Sequence, residues 1–179
     1  CLLFDGQKPK KVLKSLSSTL RNQDMEDIQV ISTAKVPIIK FTDERTKIPV
    51  DISINNTLAL HNTTLLKKYA GIDERIRKCV LAIKYWASQR DVCDAAKGTL
   101  YSYSWTLVMI QALQTTSPPV APNIQLGKER INLEVEGIEY DLTMADNPHS
   151  LLKDANTQSL GELLVHFFRQ MVLERPWDG

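Results

Sequence analysis

Ile48, Val50, Ile52 and Ile54 alternate with Pro49, Asp51, Ser53 and Asn55, and after Asn55-Asn56 the apolar spacing changes to that of helices. A period of two places the four apolar side chains on one face of a strand, because successive strand side chains point to opposite faces. That face needs a core, so Asp51 is expected on the other. The chain before this strand fits the same sheet. Residues 1–5 read as the end of an apolar strand and Asp5-Gly6 as a turn; Pro9 opens a helix with the stripe Val12, Leu13, Leu16 and Leu20. Two more strands are expected over 28–33 and 35–41, ahead of the one over 48–54. The order strand, helix, strand, strand, strand gives an α+β unit whose sheet can keep one face open.

From residue 57 the pattern is helical. Helices are expected over 57–69 and from Asp73 to Arg90, the second burying Ile76, Val80, Ile83 and Ala87. Gly98 breaks the chain, and Thr99 reads as the N-cap of a helix over 100–114 with Tyr103, Leu107, Ile110 and Leu113 on its apolar face. Pro118, Pro119 and Pro122 start an extended stretch, and residues 131–142 alternate around Glu136-Gly137 as a hairpin. Ser159-Leu160-Gly161-Glu162 is a capping-box pattern. It heads a last helix carrying Leu160, Leu163, Leu164, Phe167, Phe168 and Met171, with Pro176 beyond its end. Trp86 and Trp105 read as core. A sheet part, 1–55, and a helical part, 56–179, adjoin without a flexible spacer, and a cleft between them is expected.

Composition narrows the function classes. The 179 residues are 43% hydrophobic and 24% charged, enough to bury a core without staples. Lys and Arg number 22 against 21 Asp and Glu, a net charge of +1 that excludes a strongly basic nucleic-acid coat but not a local basic groove. Apolar runs fall far short of the roughly 18–20 residues of a membrane span, so no membrane partner is expected. Cys1, Cys79 and Cys93 form no CxxC pair, cannot all pair off, and favour a reducing compartment. The chain has no initiator Met, opens in mid-strand without a signal-peptide leader, and is expected to be a fragment.

Several residues carry chemistry. Asp51, an acid on the non-core face of a strand, suits a metal ligand or a general base as well as a solvated surface acid. In Lys97-Gly98-Thr99-Leu100-Tyr101-Ser102-Tyr103, a Gly and hydroxyl residues at a helix start offer free N–H groups to a phosphate. Tyr103, one turn in, is placed either to stack on a base or to fill the core. Lys84 sits beside its helix's apolar stripe, as a phosphate contact or as a snorkelling stem. Asn62 is a helix-surface amide or a ligand for sugar hydroxyls. His61, His149 and His166 are too scattered for a zinc site, and no nucleophilic triad is evident.

The pieces together resemble a known family. Residues 34–40, AKVPIIK, and 50–56, VDISINN, resemble the third-carboxylate strand of the cytoplasmic-type poly(A) polymerases and terminal uridylyltransferases, RNA 3′-end nucleotidyltransferases of the DNA-polymerase-β superfamily. The match continues in order through His61-Asn62-Thr63, 83–87 (IKYWA), 98–103 (GTLYSY), 118–125 (PPVAPNIQ) and 156–164 (NTQSLGELL). The resemblance implies an α+β fold: residues 1–55 as the C-terminal part of a catalytic palm sheet, and 56–179 as a mostly helical poly(A)-polymerase-associated domain, incomplete at its C-terminus. It implies transfer of UMP or AMP from UTP or ATP to an RNA 3′ end, with loss of pyrophosphate, at two Mg²⁺ or Mn²⁺ ions held by three carboxylates. Asp51 is then the third carboxylate and a metal ligand. Asn62 meets the ribose hydroxyls, Lys84 and Ser102 the phosphates, and Tyr103 the base. The cytoplasm is the implied location, with the mitochondrion as alternative.

Two departures stand out. The Asp-x-Asp pair that supplies the other two carboxylates falls, by the family's order, just before Cys1, so this chain alone is expected to lack a complete metal site. The family often carries a second Lys four residues after the first; that position is Ser88, grouped here with the nucleotide-binding residues. The alternatives to an RNA-tailing enzyme are a catalytically inactive polymerase-like RNA-binding or scaffold module, and a nucleotidyltransferase with a different acceptor. The residue that selects uridine in the family lies beyond Gly179, so the base preference is open.

Overall fold

Pro9 sets the first turn of α1 (Pro9–Arg21), where its missing N–H has no helical partner to lose. The computed structural model describes residues 1–174 apart from Phe4, Asp5, Gln7, Lys35, Ala95, Ala96, 127–129 and Glu136. It divides into two compact units, Cys1–Thr63 and Thr64–Gly179.

In the first unit, β1 (Met25–Ile31), β2 (Ile38–Asp43) and β3 (Pro49–Ser53) form an antiparallel sheet in the order β1-β2-β3. Leu2 adds a parallel bridge to Ile54, donating its N–H to Ser53 O at 2.8 Å. The apolar N-terminal segment therefore does join this sheet; Phe4 and Asp5 lie outside the described residues, and Gly6 has φ 71°. Val12 and Leu13 of α1 pack with Ile39 and Ile54, and Leu16, Leu20, Ile28 and Ile52 close the edges. The expected α1 stripe is thus the buried one. Ile48 departs from the alternation: β3 starts at Pro49, and Ile48, in the turn before it, is 57% exposed. A bulge between Glu26 and Gln29, with Asp27 at φ 54°, interrupts the β1–β2 ladder.

Asn56 opens α2 (Thr57–Ile72) by accepting the Ala59 N–H on its side-chain oxygen at 3.3 Å. In the second unit, α3 (Glu74–Gln89) buries Ile76, Cys79, Ile83 and Ala87; Val80 is only partly covered. α4 (Ser102–Gln114) packs against it through Trp86 and Trp105, whose rings meet edge to face at 5.6 Å. The buried side of α4 is Trp105, Thr106, Met109, Ile110, Ala112 and Leu113. This corrects the expected stripe: Leu107 is 38% exposed and Tyr103 half-buried. The hairpin forms as β4 (Asn132–Val135) and β5 (Ile138–Asp141), with Gly137 at φ 77°; Glu136 lies outside the described residues. α5 (Leu160–Arg169) seals the core with Leu163 and Phe167, and a π-helical turn, Gln170–Glu174, follows. Pro176 lies outside the described residues. Among the described residues, no helix is long and apolar enough to cross a membrane.

Candidate functional site

The register of the sheet fixes the surroundings of Asp51. Ile39 pairs with Ile52 on the covered face, so the next pair, Lys40 with Asp51, stands on the other face. Gln29 pairs with Lys40 from the far side, and the three residues form one exposed row across the sheet. The flanking rows on this face are Ile31, Ile38 and Ser53 on one side and Glu26, Thr42 and Pro49 on the other, with Lys47 Nζ 2.9 Å from the Glu26 carboxylate. Lys40 Nζ lies 3.2 Å from Asp51 Oδ2, with both side chains about half exposed (46% and 55%). Asp51 is therefore a solvent-facing carboxylate on an uncovered sheet face with one cation beside it, as the alternation predicts. Its partner Lys40 is not evident from the alternation alone, because the pairing depends on how many residues the turn between β2 and β3 takes. Asn62 sits half-buried within the first two turns of α2. Among the described residues, no group of three or more His, Cys, Asp or Glu side chains is gathered to hold a metal ion.

In the second unit, Lys84 follows the buried Ile83 and lies on the flank of the α3 stripe, half-buried, with Ser88 exposed one turn further along the same flank. Ser102 is the first helical residue of α4 and Tyr103 the second. The start of α4 differs from expectation. Thr99 does not cap it: its hydroxyl accepts the Asp94 N–H at 2.8 Å and donates to Asp94 O at 2.9 Å, closing the loop ahead of the helix. Tyr101 occupies the N-cap position and gives no side-chain hydrogen bond. By contrast α3 is capped by Asp73, which accepts from Arg75 N, and α5 by a full capping box of Ser159 and Glu162. The first-turn amides of α4 are thus left without a capping side chain, at the positive end of the helix dipole. Partial burial raises the pKa of the Tyr103 phenol above its ordinary value, so it stays a neutral, partly desolvated ring. Lys84 and Ser88 fall on α3, and Ser102 and Tyr103 on the adjoining end of the α4 hairpin partner.

A feature that sequence reasoning missed holds this second unit together. The Arg75 guanidinium forks onto Asp73, with Nη2 2.6 Å from Oδ2. It also donates to Asn156 Oδ1 at 3.1 Å, Asn156 O at 2.9 Å and Gln158 O at 2.7 Å. Asn156 in turn donates to Pro118 O at 2.6 Å. One side chain so ties the start of α3 to the segment leading into α5 and to the proline-rich turn. The 156–164 motif was visible as a pattern; its partner at Arg75, 81 positions away, had no local signal.

Residues 3–71 match the family model described as poly(A) RNA polymerase, mitochondrial-like, central palm domain. Poly(A) RNA polymerase GLD2 of Mus musculus is 39% identical over 146 residues, 81% of this chain and 30% of that protein. Terminal uridylyltransferase 7 of Homo sapiens is 36% identical over 172 residues, 92% of this chain and 12% of that protein. A crystal structure of the Cid1 poly(U) polymerase with Mg and 3′-dATP superposes with a TM-score of 0.83 at 31% identity, covering 97% of this chain and 54% of that one. The chain spans less than a third of the GLD2 relative and about half of the Cid1 structure. Over the residues it spans, the chain belongs to the family of poly(A) RNA polymerases and terminal uridylyltransferases, with their α+β nucleotidyltransferase fold.

Proposed function

We propose that the full-length protein adds UMP or AMP from UTP or ATP to the 3′ end of RNA without a template, releasing pyrophosphate. The observation that carries this reading is Asp51, kept on the uncovered face of a sheet, within a chain of which 97% superposes on a poly(U) polymerase. An acid on that open face disfavours the scaffold reading. Other Cid1 structures, with the UTP analogue UMPNPP and with the short product ApU, support nucleotide and RNA as the substrates.

A divalent cation is the proposed cofactor, supported by the Mg in the Cid1 complex; Mg²⁺ or Mn²⁺, two ions in the complete site, is the finer form of the proposal. Asp51 fits as one ligand: it is a hard oxygen donor open to solvent. Among the described residues no group of three or more His, Cys, Asp or Glu side chains surrounds it. When bound, such ions activate the attacking hydroxyl and neutralise the triphosphate.

The chain's own residues then have distinct work. Lys84 meets the triphosphate as a point charge on a flexible stem, and Ser88 adds a hydroxyl on the same helix flank. Ser102 and the uncapped amides of α4 donate to phosphate oxygens. The half-buried Tyr103 ring stacks on the base, a contact that does not discriminate between bases. Asn62 hydrogen-bonds the ribose hydroxyls and so favours a ribonucleotide. The cytoplasm is the proposed location, with the mitochondrion as alternative; three unpaired thiols favour a reducing setting.

The test is extension of a labelled RNA oligonucleotide by the full-length protein with UTP or ATP and no template. A ladder of added nucleotides that disappears when the RNA ends in a 3′-deoxynucleotide is expected. No extension with either nucleotide, in Mg²⁺ or Mn²⁺, refutes the proposal.

A further inference from the structure

We propose that the outer flank of α1 holds the phosphodiester backbone of the RNA body, on the side of the sheet away from Asp51, an assignment that rests on the RNA-tailing reading for its choice of polyanion. Residues 8–21 contain five of the chain's 22 basic residues and no acid, whereas outside them acids outnumber bases. Val12 and Leu13 fasten α1 to the covered face of the sheet, against Ile39 and Ile54. Lys10, Lys11, Lys14 and Arg21 stay exposed, and among the described residues none of them has an ion-pair partner. At 3.6 residues per turn, Lys10, Lys14, Ser18 and Arg21 fall on one flank of the helix, with Lys11 beside them. From Lys10 to Arg21 the stripe runs about 16 Å along the axis, the length of roughly five nucleotides of a stacked strand.

The fold does not account for this charge. Cations in a helix's first turn oppose its dipole, yet α1 opens with Lys8, Lys10 and Lys11, with no acid in that turn and no side-chain cap. The starts of α3 and α5 carry acids instead, Asp73 with Glu74 and Glu162 with its Ser159 box. Lys10 and Lys14, four residues apart on one flank, also repel each other. Local rules broken together without a gain in packing point to a ligand. What α1 lacks identifies that ligand. The helix has no aromatic residue, and its apolar side is already used: Val12 and Leu13 are buried, and Leu16 and Leu20 pack at the edge of the same core. A tight protein interface needs a buried anchor, and a helix lying on a membrane needs a free apolar face. A phosphodiester backbone needs only cations and hydroxyl donors, and the exposed Ser15 and Ser18 supply the latter. Such contacts are indifferent to base sequence.

The experiment measures binding of a fluorescently labelled single-stranded RNA of about 40 nucleotides to the full-length protein by anisotropy, without nucleotide, from about 50 to 200 mM salt. Each phosphate contact to a single strand contributes about 0.7 to the slope of log affinity against log salt. The triple variant Lys10→Gln, Lys14→Gln, Arg21→Gln should therefore flatten the slope by about 2, with an unchanged melting temperature because all three side chains are exposed. The charge-keeping set Lys10→Arg, Lys14→Arg, Arg21→Lys should retain the wild-type slope. In extension assays the neutral variant should raise KM for the long RNA while leaving KM for an acceptor of about 8 nucleotides, and kcat, as in wild type. An unchanged slope overturns the inference. An equal rise in KM for short and long acceptors also overturns it, moving these residues to the 3′-end site. Binding to phosphatidylserine vesicles that the neutral variant loses, with the RNA slope intact, overturns it in favour of a membrane. The anisotropy assay needs no nucleotide addition, so a wild-type protein that extends no RNA while the neutral variant loses slope overturns the activity alone.

Discussion

Removing the Arg75 side chain should loosen the second unit more than any other single polar change there. Arg75→Ala deletes a fork of hydrogen bonds to Asp73 and leaves the Asn156 and Gln158 carbonyls short of a donor. Breaking a buried pair by removing one member costs about 3–5 kcal/mol, and this pair is 20–25% exposed, so about 2–4 kcal/mol is expected. For a chain of this size that is a fall of about 5–15 °C in melting temperature. Arg75→Lys keeps the charge without the planar fork and should fall between. Calorimetry or circular dichroism at neutral pH reads the loss. The pH dependence gives a second readout. The Arg75 hydrogen bond holds the Asp73 carboxyl below its ordinary range. Its contribution is therefore complete above the unfolded value of about 3.9 and is lost as pH falls through the folded value. The gap between wild type and Arg75→Ala should narrow in acid. A melting temperature within a degree of wild type at neutral pH refutes the reasoning.

Tyr103→Ala should raise the KM of the full-length protein about ten- to a hundredfold, equally for UTP and ATP, with a small loss of stability, because the ring is only half-buried; a large fall in melting temperature with unchanged KM would return it to the core. Ser159→Ala removes the acceptor for the Glu162 N–H and should cost about 1 kcal/mol in thermal melting, whereas no change would mean the α5 cap is idle.

What the sequence made legible followed from local rules. Period two placed Asp51 opposite Ile52, and the 3.6-residue period found Val12 and Leu13 on α1 and Ile76, Ile83 and Ala87 on α3. The Ser159–Glu162 box was readable because both partners lie within one turn. Errors came where one residue had two local uses. Thr99 beside Gly98 looks like an N-cap, but Gly98 at φ 77° turns the chain and the Thr99 hydroxyl closes the loop on Asp94. Leu107 looked buried because a helix with apolar residues on most of its sides gives no clear stripe; packing on Trp86 and Phe167 chose the Trp105 side. Lys40–Asp51 and Arg75–Asn156 were invisible, since each depends on pairing between segments and not on spacing within one.

The most direct test of the account replaces Asp51 with Asn in the full-length protein and measures extension of a labelled RNA alongside thermal melting. Asn keeps the shape on an exposed strand position and removes the charge, so stability should hold while nucleotide addition falls by orders of magnitude. Extension within a few-fold of wild type, with melting unchanged, would contradict the assignment of Asp51 to the chemistry.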